Sequence, residues 1–150
     1  MPLVRNPSAV WKSFAPSTQF RQVPGFGPLV ATATVAAIGN GAAFRRGRDF
    51  AAWLGIVPRQ HSTGGRQQLF GITKRGNKYL RRMLIHGARA VLLRVKYNTE
   101  GFGQWVKRLE ERAPRPKVIV AIANKLARIA WAVLSSGKQY QHQPLQISAA

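Results

Sequence analysis

A chain of 150 residues, 45% of them hydrophobic, has enough apolar surface for one domain with a modest core, which excludes a wholly disordered basic tail. Its 24 Lys and Arg against four acidic residues give a formal charge of +20, a self-repulsion best borne beside a polyanion, so nucleic acid is the expected partner. With no cysteine, and only His61, His86 and His142 as nitrogen ligands, the composition excludes a disulfide framework and a cysteine-held zinc, and no metal site or cofactor is expected within this chain.

In chain order, residues 1–22 show no sustained period and carry Pro2, Pro7 and Pro16, which reads as a loosely ordered lead-in. The longest apolar run, around residues 28–38, is short of the ~20 residues that cross a bilayer, and the first twenty residues lack a signal-peptide core. The expectation is a cytoplasmic protein with no membrane partner. The segment VPGFGP, residues 23–28, reads as a tight glycine turn entering a helix, with Pro28 in its first turn, Leu29, Ala33, Ala36 and Ala37 at helical spacing, and Gly39 as its stop. A second short helix spans about Arg48 to Leu54, ended by Gly55 and Pro58.

From Pro58 to Gly76 the glycines Gly64, Gly65, Gly71 and Gly76 interrupt every helical period. The stretch reads as a loop over a scaffold, with at most a short extended piece around Leu69–Thr73. Asn77 is placed to cap a helix reaching about Tyr97, whose Leu80, Leu84, Ala88, Val91, Leu92 and Val95 form a core stripe while Lys78, Arg82, His86 and Arg89 take another face. A helix around Gly103–Arg112, the breaker Pro114–Arg115–Pro116 and a long helix from about Lys117 to Ser136, stopped by Gly137, follow. Val118, Ile122, Leu126, Ile129 and Val133 are its core candidates. Residues 141–150 read as a frayed tail, which leaves 23–140 as one mainly α, compact helical domain with a helix-hairpin-helix-like element and a Gly-rich basic loop.

The strongest chemical signal is charge. No acidic residue lies between Asp49 and Glu100, whereas Arg66, Lys74, Arg75, Lys78, Arg81 and Arg82 crowd a glycine loop and the start of a helix. Cations there oppose the helix dipole and cost stability unless an anion offsets them, which points to phosphate. Gly25 and Gly27 admit two readings: a backbone bared to a DNA phosphate, or a turn into a packed helix. Phe26 reads as packing. Lys125 and Arg128, with Asn124, extend the basic surface along the last helix; Trp131 reads as a core anchor, with a stacking platform as the alternative, and Trp53 and Trp105 read as core residues. Ser62 and Thr63 precede Gly64 and Gly65, where either hydroxyl has room to meet a phosphodiester, and His61 is the nearby base candidate. Asp49, Glu100 and the adjacent Glu110 and Glu111 do not make the converging carboxylates of a two-metal nuclease.

The ordered segments PGFGPLVATATVAAIG, FRRGRDFAAWLGIVPRQHSTGGRQQLFGITKRGNKYLRRMLIHGARA and ANKLARIAWAVL resemble the C-terminal domain of the IS one-ten family of insertion-sequence transposases over about residues 23–140. The resemblance implies a domain that binds DNA and a bridge RNA and supplies a serine nucleophile for strand cleavage and exchange. Ser62 is the matching residue and Thr63 the alternative register. It also implies a separate RuvC-like domain whose DEDD carboxylates bind Mg²⁺, and a homo-oligomer on DNA. No such carboxylate set precedes Val23, and Asn40 stands where relatives commonly have Asp, so the isolated chain is expected to be inactive alone. The alternative reading is a catalytically inactive nucleic-acid-binding remnant of such a transposase.

Overall fold

The computed structural model describes residues 19–20, 22–94, 101–138 and 140, with 60–62 and 67–70 described as backbone only. The expected lead-in up to residue 18, the tail 141–150, and Val95 to Tyr97 at the end of the third helix lie outside the described residues. Among the described residues, the elements run in the order α1 (Pro28–Ile38), α2 (Gly47–Leu54), β1 (Pro58–Thr63), β2 (Arg66–Ile72), α3 (Lys78–Arg94), α4 (Phe102–Arg112) and α5 (Arg115–Ser136). The mainly α class expected from the sequence is the one observed.

α5 is the axis of the fold and packs against α2, α3 and α4. Pro114 stands at its N-cap and Pro116 in its first turn, so the Pro–Arg–Pro that stops the preceding helix also starts this one, where missing N–H groups cost nothing. Val118, Ile122, Leu126 and Val133 are buried as expected, joined by Ala123, Ala127, Ala130 and Leu134, while Ile129 is only partly covered. By length and apolarity alone α5 could cross a bilayer, a feature that the run at 28–38 had hidden. Its inner face instead forms the centre of this core.

α3 supplies the second wall through Leu80, Leu84, Ala88, Val91 and Leu92. Asn77 caps it, its Oδ1 accepting the Leu80 N–H at 3.0 Å. The turn before α1 rides on the middle of α3. Gly25 has φ of +75°, and a Cβ built there would lie 2.7 Å from the Gly87 carbonyl oxygen, while a Cβ on Gly87 would lie 2.6 Å from that of Gly25. Two glycines thus let two backbones touch, with Phe20 and Phe26 stacked beside them at 5.0 Å.

Two expectations need correction. α1 runs from Pro28 to Ile38 as read, but it buries Val30, Ala31 and Thr34, and Leu29 is 62% exposed with Ala36 and Ala37 also outside. The helix is apolar on every side, so periodicity carried no contrast between its faces. The stretch 58–72 is an antiparallel hairpin rather than a loop, pairing Gln60 with Leu69, His61 with Gln68, Ser62 with Gln67 and Thr63 with Arg66. Gly64 and Gly65 take φ of +61° and +77°, the two positive values that a tight two-residue turn requires to match strand twist.

Candidate nucleic-acid interface

The hairpin leaves the helical body through a joint made almost wholly of backbone. Thr73 N–H donates to Val57 O and Lys74 N–H to Gly55 O, each at 3.1 Å, so residues 73–74 run beside 55–57. Gly55 and Gly76 have φ of +75° and +89°, and a Cβ on either would strike backbone of the facing segment: Arg75 for Gly55, the Trp53 carbonyl for Gly76. Beneath the joint, Arg81 is 8% exposed and its Nη1 donates to Leu54 O and Arg75 O, both at 3.1 Å. A guanidinium offers several donors in one plane, which suits it to tie two carbonyls that end different segments.

This geometry sorts the expected binding residues. Lys74, Arg75, Lys78 and Arg82 are exposed at the foot of the hairpin and the first turns of α3, and no acidic residue occupies that first turn. Lys74 holds φ of +57°, a strained value outside glycine that turns the chain into the foot. Arg66 is exposed at the other end, closing the turn opposite Thr63, about 20 Å away by strand rise. Arg81, read from sequence with these cations, is turned inward and engaged by backbone. Gly25 is taken up by Gly87, so its glycine requirement is packing, whereas Gly27 stands open at the N-cap of α1. Phe26 is buried, as read.

Ser62 lies one pair from the turn, its backbone partner Gln67. His61 is paired with Gln68 in the backbone register. Asn40 is exposed and its Oδ1 accepts the Ala42 N–H at 3.1 Å, a turn that an Asp oxygen would equally make.

Lys125 and Arg128 stand on the outer side of α5, apart in chain position from the hairpin foot. Arg128 Nε donates to Asn124 Oδ1 at 3.1 Å, and Lys125 Nζ sits 4.2 Å from the Trp105 ring centroid. Burial, and then Arg128, hold the Lys125 ammonium below its usual pKa. The tryptophans are less uniform than read: Trp131 is half-buried and donates to Gly41 O at 3.1 Å, Trp105 is half-buried, and Trp53 is 39% exposed against Phe44 and Phe50. Among the described residues no group of three His, Asp or Glu could hold a metal ion, and Asp49 lies 3.6 Å from Arg46.

Fold and surface together define a small helical domain presenting a polar hairpin on a cationic foot. Residues 17–104 match the family model described as Transposase IS116/IS110/IS902 family. The chain is 53% identical over 119 residues to a probable family 20 transposase of Pseudomonas aeruginosa, covering 79% of this chain and 35% of that protein. It is 44% identical over 133 residues to the transposase for insertion sequence element IS1111A of Coxiella burnetii, covering 89% and 36%. A pilin gene-inverting protein of Moraxella bovis is 31% identical over 122 residues, 79% and 36% of the two chains. The chain belongs to the IS116/IS110/IS902 transposase family, and it spans about a third of the length of the curated relatives it matches.

Proposed function

We propose that this chain is the part of a transposase that grips DNA and a bridge RNA and presents Ser62 as the nucleophile of strand cleavage. The observation carrying this reading is the hairpin: a serine one pair from a two-glycine turn, on a ribbon anchored by Arg81 and flanked by Arg66 at its tip and Lys74, Arg75, Lys78 and Arg82 at its foot. Phosphates held by those cations bring a phosphodiester to the ribbon. The Ser62 oxygen forms a bond to phosphorus as the bond to a deoxyribose oxygen breaks. The serine proton passes to a base, and the released oxygen is protonated from solvent. Attack on the phosphoserine by another strand's hydroxyl then rejoins DNA and frees Ser62.

His61, the neighbouring residue in the chain, is the base candidate for that proton. Among the described residues the carboxylates do not fit a divalent metal, since Asp49 lies beside Arg46 and Glu110 and Glu111 are exposed neighbours on α4. Mg²⁺ belongs in this reading to the DEDD residues of a RuvC-like domain, where it would polarise the phosphodiester. Without that domain the chain binds and does not cut.

The test mixes this chain with a separately expressed carboxylate domain and a plasmid carrying the element's ends, then looks for a covalent protein–DNA adduct on denaturing gels. The adduct is expected with the wild-type chain and lost in Ser62→Ala. An undiminished adduct in Ser62→Ala removes Ser62 as nucleophile, and its loss in Thr63→Val instead moves the register by one. Specific DNA binding with no adduct from any variant leaves the catalytically inactive binding remnant.

A further inference from the structure

Two cavities, of about 540 and 550 Å³, lie along the outer side of α5 and share Ala121 and Asn124, which makes them one trough. At one end its wall is the hairpin foot, with Pro58, Gly71 and Ile72, and at the other it is Trp105 of α4. Val120, Ala121, Ile129 and Ala132 give an apolar floor, and Lys117, Lys125 and Arg128 are its charged lining, with no carboxylate among the described residues that line it. The first and last of those cations lie eleven steps apart along one helix, about 16 Å.

Lys125 and Arg128 are like charges one turn apart, and among the described residues the side-chain acceptor that Arg128 meets is the neutral Asn124 amide. The Lys125 ammonium is half-buried over Trp105, where burial and Arg128 both disfavour its charge. A phosphate between the two cations relieves that repulsion through charge-assisted hydrogen bonds. An apolar floor and an indole wall add nothing for a duplex, whose base faces are stacked away, but they suit unpaired bases.

We propose that this trough takes a segment of single-stranded DNA, phosphates on Lys117, Lys125 and Arg128 and a base against Trp105, leading the strand to the foot of the serine hairpin. The inference rests on the reading of this chain as a DNA-processing transposase domain. An acidic peptide is the rival occupant, and it lacks the planar faces that Trp105 would meet.

The experiment measures anisotropy of labelled oligothymidylate, oligouridylate and duplex DNA, each of about a dozen residues, against the full chain from 50 to 200 mM salt. Lys117→Gln/Lys125→Gln/Arg128→Gln is expected to reduce the magnitude of the log–log salt slope for oligothymidylate by about 2, at ~0.7 per phosphate contact. Trp105→Leu is expected to weaken it roughly tenfold at constant slope. Arg89→Gln/Arg94→Gln, exposed on α3 and outside the trough, is the charge control. Photocrosslinking of iodouracil-substituted oligonucleotide to the peptide holding Trp105 provides a second reading on the unmutated protein. An unchanged slope in the triple variant, an equal loss in the control, stronger binding of oligouridylate, or a crosslink elsewhere overturns the proposal. Duplex binding without single-strand binding overturns it and spares the proposed function, whereas no binding of any nucleic acid removes both.

Discussion

Arg81 and Arg82 adjoin in sequence and part company in the fold, because one residue of helix turns a side chain through about 100°. Arg81 goes inward to Leu54 O and Arg75 O, and Arg82 goes to solvent. Replacing Arg81 with Met keeps bulk but removes the donor from two carbonyls, one of them buried with its residue, so urea unfolding should show a loss of about 2–3 kcal/mol. Arg82→Met should leave stability within about 0.5 kcal/mol and weaken nucleic-acid binding with a shallower salt slope. Equal stability losses in the two would mean that the Arg81 bonds do not hold the joint. Glycines separate in the same way. Gly64→Ala meets open space and pays only for its positive φ, about 1–2 kcal/mol, whereas Gly76→Ala also drives a methyl into the Trp53 carbonyl and should cost distinctly more on the same assay.

At the scale of elements, the hairpin depends on its turn and the helices on their buried stripes. Gly64→Val/Gly65→Val puts β-branched residues at φ of +61° and +77°, so the pairing of Thr63 with Arg66 and Ser62 with Gln67 should be lost. Amide exchange should rise sharply in 58–72 while α5 amides stay protected, and preserved hairpin protection would contradict the turn assignment. In α5, Leu126→Ala empties a fully buried site and should cost about 2–5 kcal/mol, while Leu93→Ala, at a position 73% exposed, should fall within about 0.5 kcal/mol. The helices were legible because Asn77, Pro116, Gly55 and Gly137 mark their ends and Leu80, Leu84, Ile122 and Leu126 repeat with helical period. The hairpin was not, since Gln60, His61, Ser62 and Thr63 face Arg66, Gln67, Gln68 and Leu69 with almost no apolar alternation, and only the Gly64–Gly65 pair between equal runs announced it. The candidate site was legible as cations and a hydroxyl. Arg81 betrayed nothing of its inward turn, and Trp105 and Lys117 were missed as trough walls because their proximity is made by tertiary packing of α4 and the hairpin foot around α5.

For the whole molecule, a charge of +20 gives salt two opposed roles. In the free chain, repulsion among cations acts over the Debye length, about 10 Å at 0.1 M, so added salt screens it and should raise the melting temperature. In the proposed complex with DNA, phosphates would supply that neutralisation. DNA at about 100 times its Kd should stabilise the fold by ~2.7 kcal/mol at low salt. If 6–10 phosphates are held, affinity falls by roughly 10³–10⁵ between 50 and 200 mM salt, and most of that stabilisation goes with it. Melting curves recorded with and without DNA should therefore converge, the free chain rising and the complex falling as salt increases. A free chain indifferent to salt would show that its cations are already spaced or paired well enough to need no polyanion, and the cationic foot would then have to be explained by something other than phosphate.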